Sequence, residues 1–85
     1  MMFYFYVLRS TVDKNLYTGY TNDLAKRVKE HNGGKVFSTK SRRPLEIVYY
    51  EAYKSEKDAR GRELQVKRRS KAFIGLKKRI GNGIT

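Results

Sequence analysis

Phenols, guanidinium groups and a few carboxylates are the side chains in this sequence able to act on a substrate. One histidine and no cysteine cannot build the usual structural or catalytic zinc sets. No Gly-x-x-x-x-Gly-Lys-Ser/Thr loop is present to cradle nucleotide phosphates, and no Gly-Ser-like context accompanies His31 to make a serine triad. Tyr6, Tyr17, Arg27, His31 and Glu63 remain. Tyrosine and histidine can move protons, a guanidinium can hold an oxyanion, and a carboxylate can ligate a cation or accept a proton. Each also has an ordinary structural role, so its placement decides.

The elements that must supply this placement follow from composition and spacing. Phe3-Tyr4-Phe5-Tyr6-Val7-Leu8 is aromatic and β-branched and runs into the polar stretch Ser10 to Asn15, so it reads as a buried strand entering a turn. Leu16 to Tyr20 is its hairpin partner. Thr21-Asn22-Asp23 offers capping side chains, Leu24, Ala25 and Val28 form an apolar stripe, and Asn32-Gly33-Gly34 supplies a stop, which together predict a first helix. Residues 33–44 read as a loop closed by Pro44. Glu46 to Tyr53 has strand composition. Ser55-Glu56-Lys57-Asp58 resembles a capping box and opens a second helix to about Arg69, and a shorter helix is expected over Phe73 to Ile80. The order β-β-α-β-α(-α) predicts an α/β (α+β) fold in one domain over 1–85, with a small three-stranded antiparallel sheet flanked by helices.

Within these elements the five residues occupy particular faces. On the first helix, with Leu24 at zero, Val28 lies at about 40°, His31 at about −20° and Arg27 at about −60°, so both polar residues flank the apolar stripe. Lys26 and Glu30 fall on the opposite, solvent side. An arginine there also serves by laying its stem over the core edge, and a histidine by packing or capping. On the second helix, with Ala59 at zero, Val66 lies at about −20° and Glu63 at about 40°, against the apolar face. Glu63 is the only acid after Asp58, and its ordinary role would be an i,i+4 pair with Lys67. Any hairpin register whose paired numbers sum to an odd value, such as Tyr6 opposite Gly19, puts Tyr6 and Tyr17 on one face of the sheet. Cross-strand aromatic packing is the alternative use of that face.

Charge indicates the kind of partner. The chain has 20 Lys+Arg against 8 Asp+Glu, a formal net charge of +12, and residues 59–85 alone contribute +8. Such a field attracts a polyanion, of which nucleic acid is the commonest. Lys35, Lys40, Arg42 and Arg43 form one candidate phosphate-binding cluster, beside Ser38, Thr39 and Ser41, and Lys67, Arg68, Arg69 and Lys71 form a second. The absence of cysteine fits a reducing, cytoplasmic setting, and the longest apolar run is far too short to span a membrane.

Taken together these residues resemble the GIY-YIG nuclease superfamily, in particular its small stand-alone bacterial single-domain branch. Phe5-Tyr6-Val7 stands at the first tripeptide and Tyr17-Thr18-Gly19 at the second. The similarity continues through Thr21-Asn22-Asp23-Leu24, Arg27-Val28, Glu30-His31-Asn32, Arg43-Pro44 and Arg62-Glu63-x-Gln65-Val66-Lys67, spanning residues 3–70 and leaving 71–85 as a basic helix and tail. The resemblance implies a divalent-metal-dependent endonuclease that hydrolyses phosphodiester bonds with one metal ion, Mg2+ or Mn2+. It also implies Tyr6, Tyr17, Arg27, His31 and Glu63 as the active site. Glu63 is then the metal ligand, Arg27 a clamp on a non-bridging oxygen, and Tyr6 the general base, which requires its pKa to fall by about 3 units. DNA is the expected substrate ahead of RNA, in repair or processing. The alternative is a nucleic-acid-binding module that cuts weakly or not at all. Arg60, Gly61 and Arg69 depart from the family pattern, and no asparagine after Glu63 matches the extra polar residue of some relatives.

Overall fold

Tyr6 and its neighbours form the middle strand of the sheet, so the architecture is best built outward from them. A computed structural model describes residues 1–68. Strand β1 (Phe3–Ser10) lies between β2 (Leu16–Thr21) and β3 (Leu45–Tyr53), antiparallel to both. Phe5, Tyr6, Val7 and Leu8 are all essentially inaccessible. That continuous apolar run, without polar alternation, is what a strand covered on both faces requires.

The two covers are helices α1 (Leu24–Asn32) and α2 (Glu56–Arg68). Val66 of α2 packs with Phe5 and Val7, whereas Leu24 and Val28 of α1 pack with Tyr6, Leu8 and Leu45. Asp23 caps α1, accepting a hydrogen bond from the Lys26 amide at 3.1 Å, and the Asp58 amide at the start of α2 donates to Ser55 Oγ at 3.4 Å. Asn32 fixes the far end of α1 to the sheet: its amide nitrogen donates to the Leu45 carbonyl at 2.9 Å while its oxygen accepts from the Leu45 amide at 2.7 Å. None of the helices among the described residues is long and apolar enough to cross a membrane.

The segment expected as open loop is more ordered than its composition suggests. Phe37–Arg42 is a 3₁₀ helix that buries Thr39 completely. Arg42 faces inward as well: its Nε donates to Asp13 Oδ2 at 2.8 Å and its Nη2 to the Asn15 carbonyl at 3.1 Å, pinning this helix to the β1–β2 turn. The helix expected over Phe73–Ile80 and the domain's remainder beyond residue 68 lie outside the described residues.

Candidate active site

The hairpin register sets the geometry of the two phenols. Tyr6 pairs with Gly19 and Leu8 with Tyr17, so Tyr6 and Tyr17 project from the same face of adjacent strands. Gly19 makes room for this arrangement. A Cβ built on it would stand 2.5 Å from Tyr6 Oη and 2.7 Å from Cζ, so only a hydrogen fits beneath the phenol.

Helix α1 closes over the same face. Arg27 Nε donates to Tyr6 Oη at 3.3 Å, and His31 Nε2 lies 3.1 Å from the same oxygen. The Tyr17 and Tyr6 rings meet the His31 ring edge to face, at 5.0 and 6.0 Å between centroids. His31 is wholly buried, and its Nδ1 lies 2.7 Å from Thr39 Oγ1. Since the Thr39 hydroxyl donates to the Val36 carbonyl at 3.4 Å, the network assigns Nδ1–H as donor to Thr39 and leaves Nε2 to accept from the Tyr6 hydroxyl. One chain of hydrogen bonds therefore runs Arg27, Tyr6, His31, Thr39, Val36.

Protonation follows from these surroundings. Burial pushes the Tyr6 phenol above its usual value of 10.0, and the hydrogen bond and charge of Arg27 offset only part of this. The lowering expected of a Tyr6 general base thus does not arise from the protein's own field, because the ring lies in the core rather than at its rim. Burial and the Arg27 charge both lower His31 below 6.5, which keeps its imidazole neutral and able to accept the Tyr6 proton. Arg27 is only half withdrawn from water. It pairs with Glu30 at 3.3 Å and borders a cleft of about 460 Å³ shared with Asp23, Lys26 and Glu56. The Glu30 partnership corrects its placement on a purely solvent-facing side.

Glu63 approaches on α2, the helix covering the opposite face of the sheet. Its side chain is 13% exposed and pairs with Lys67 at 3.5 Å, while its charge reaches Tyr6 and adds to the upward push on the phenol. Among the described residues no group of three or more His, Cys, Asp or Glu could encase a metal. A lone, largely buried carboxylate suits a magnesium-like ion, which keeps most of its waters and takes phosphate oxygens as further ligands. Among the described residues Glu63 pairs with Lys67 and makes no hydrogen bond to Tyr6, Tyr17, Arg27 or His31, so of the five expected site residues the structure joins four and leaves Glu63 beside them as a lone carboxylate of the kind such an ion accepts.

In the basic clusters, Lys35, Lys40 and Arg43 lie on exposed positions, although Arg43 Nε donates to the Lys40 carbonyl at 2.8 Å. Arg42, expected to contact phosphate, is instead engaged by Asp13 and Asn15. Lys67 is shared with Glu63. The contacts expected at the Arg68 side chain, Arg69 and Lys71 lie outside the described residues. Sequence reasoning missed Gly19 as a space requirement and Thr39 as the partner that orients His31. A glycine directly opposite a tyrosine in the paired register was the available signal for the first; nothing in a Ser/Thr/Lys-rich loop marks the second.

A small antiparallel sheet with phenols from its hairpin, clasped by an arginine and histidine from the following helix, is the arrangement that the sequence resemblance implied. The GIY-YIG catalytic domain model matches residues 2–79, and the chain belongs to the GIY-YIG family. It is 45% identical over 85 residues to a UPF0213 protein of Pediococcus pentosaceus, covering 98% of this chain and 88% of that one. A UPF0213 protein of Streptococcus pyogenes serotype M3 is 48% identical over 67 residues, covering 78% and 72% of the two chains. The solution NMR structure of a UPF0213 protein from Bacillus halodurans is similar in fold, with a TM-score of 0.53, 35% identity and coverage of 91% of this chain and 86% of that one.

Proposed function

We propose that the chain is a divalent-metal-dependent endonuclease of the cytoplasm that hydrolyses phosphodiester bonds in DNA during repair or processing. The observation that carries this reading is the Tyr6 hydroxyl suspended between Arg27 and His31, joined to membership of a nuclease family. Arg27, permanently cationic and reachable from the cleft, holds a non-bridging phosphate oxygen as charge builds on it. Tyr6 works as a relay, its oxygen taking a proton from the attacking water as its own proton passes to His31 Nε2; since the ring is buried in the free protein, this step requires substrate binding to admit a water to Oη. Tyr17, against the His31 ring, orients water or phosphate. Glu63 would hold Mg2+ or Mn2+, an ion that would supply positive charge to offset the negative charge developing on the phosphate.

A second reading, a nucleic-acid-binding module that cuts poorly, is favoured by the engagement of Glu63 with Lys67. Labelled single-stranded, duplex and branched DNA, offered with and without magnesium to the parent, Glu63→Ala and Tyr6→Phe, separates the two. Metal-dependent cutting by the parent, with binding kept but cutting lost by at least about 100-fold in the variants, supports the nuclease. Binding by the parent with no cutting of any substrate supports the module.

A further inference from the structure

The 3₁₀ helix Phe37–Arg42 repeats every three residues, so side chains three apart eclipse one another. Its inward positions are occupied by Thr39 on His31 and by Arg42 on Asp13. The outward face carries Phe37, Lys40 and the following Arg43. Phe37 is 93% exposed, more than any other large apolar side chain among the described residues. Together with Ser38, Lys40, Ser41 and Arg43 it lines a shallow cleft of about 500 Å³. No acidic residue occurs anywhere from Gly33 to Leu45. A bare aromatic ring flanked by cations, on a segment with no acid of its own, complements a single strand of nucleic acid: the ring stacks on a base while the cations follow the phosphates.

We infer that Phe37 is a base-stacking residue that takes one unpaired nucleobase, with the flanking phosphates lying across Lys40 and Arg43. The inference deepens the proposed nuclease reading, on which it rests, by naming the substrate class: DNA with an unstacked nucleotide beside the cleavage point, as in a single strand or a flap. Thr39, two residues from Phe37, hydrogen-bonds His31, so the helix that would seat the strand is braced by the residue that orients the His31 ring. A fully paired duplex offers no free base face and gains nothing from the ring.

The test uses the full chain in EDTA, which removes cutting from the readout, with oligonucleotides carrying 2-aminopurine as single strand, flap and closed duplex. Phe37→Ala is expected to weaken single-strand and flap binding roughly 5- to 150-fold, the equivalent of about 1–3 kcal/mol, and to abolish the change in 2-aminopurine fluorescence. Phe37→Tyr retains both, and duplex affinity moves less than about twofold in either variant. Lys40→Ala reduces the salt dependence of log K by about 1, whereas Phe37→Ala leaves it unchanged. Equal single-strand affinity and equal fluorescence in the parent and Phe37→Ala overturn the inference while leaving the nuclease reading intact. Stacking without any metal-dependent cutting leaves the inference standing and removes the nuclease. A parent that binds no oligonucleotide removes both, and self-association that is lost in Phe37→Ala would then assign the ring to a second copy of the chain.

Discussion

Gly19→Ala places one methyl group where the structure has no space for it. The new carbon would stand 2.5, 2.7 and 3.1 Å from Tyr6 Oη, Cζ and Cε1, against an optimal separation of about 3.5–4.0 Å between carbons. Tyr6 cannot swing aside cheaply, because it is 1% exposed and bound by both Arg27 and His31. Overpacking of this kind costs about 1–3 kcal/mol, and in a domain of this size each kcal/mol lowers Tm by roughly 4–8 °C. On the proposed nuclease reading, a displacement of about 1 Å at Tyr6 would also reduce cleavage roughly 100-fold. Gly61→Ala is the matched control, since nothing lies within 4 Å of its added carbon and it sits inside α2; alanine there is expected to stabilise by about 1 kcal/mol. Thermal melts and single-turnover cleavage of both variants decide the matter. In a Tyr6→Phe background the penalty of Gly19→Ala should shrink without vanishing, because Cζ stays in place when Oη is gone. If Gly19→Ala melts at the parent temperature and cuts at the parent rate, the steric account of the second tripeptide is wrong.

Two further outcomes are expected. His31 is depressed below 6.5 by burial and then by Arg27, so between pH 7.5 and 5.5 the unfolded chain binds more protons than the folded one. Stability therefore falls as pH drops through about 6.5, and His31→Gln should flatten Tm against pH across that window; an unchanged slope would refute the buried neutral imidazole. Glu51 accepts from Arg62 at 2.9 and 3.3 Å and from Tyr53 at 2.6 Å, and burial together with Glu51 raises Tyr53 to about 12. Glu51→Ala should cost about 1.5–3 kcal/mol and bring the Tyr53 titration, followed by ultraviolet absorbance, part of the way back towards 10; no movement of either would show that Glu51 does not tie α2 to β3.

What could be read from the sequence was whatever repeats with a short period. The strands follow from short aromatic and β-branched runs, and both helices with their caps from an apolar stripe and side chains able to accept from free amides. The odd-sum register that brings Tyr6 and Tyr17 together is the one observed, with Tyr6 opposite Gly19. Contacts made at long range could not be read this way. Thr39 and Arg42 sit in a polar stretch whose composition says loop, yet Thr39 turns into the core and Arg42 towards the β1–β2 turn, because His31 and Asp13 offer them partners eight and 29 residues away. The direction of the Tyr6 pKa depended on a competition: an adjacent arginine lowers a phenol, burial raises it, and only the depth of the ring decides which wins. Phe37 was indistinguishable in sequence from a core phenylalanine until the three-residue repeat turned it outward.

The depth of Tyr6 has a broader consequence for a chain of 85 residues. Among the described residues Tyr6 and His31 are two of the largest fully buried side chains, and Tyr6 shares a cluster with Leu8 and Leu45. One face of the thin core is thus built from the candidate catalytic groups themselves, held together by hydrogen bonds as well as by apolar contact. Removing the Tyr6 hydroxyl leaves His31 Nε2 without its acceptor role in a buried place, which costs about 1–3 kcal/mol on its own. Lost cleavage in Tyr6→Phe therefore reports chemistry only where the melt shows that the variant is folded at the assay temperature. Glu63 lies on the other helix, outside this network, and pairs with Lys67. If Glu63 is the metal ligand proposed, its removal tests cleavage without breaking the bonds that join Arg27, Tyr6 and His31.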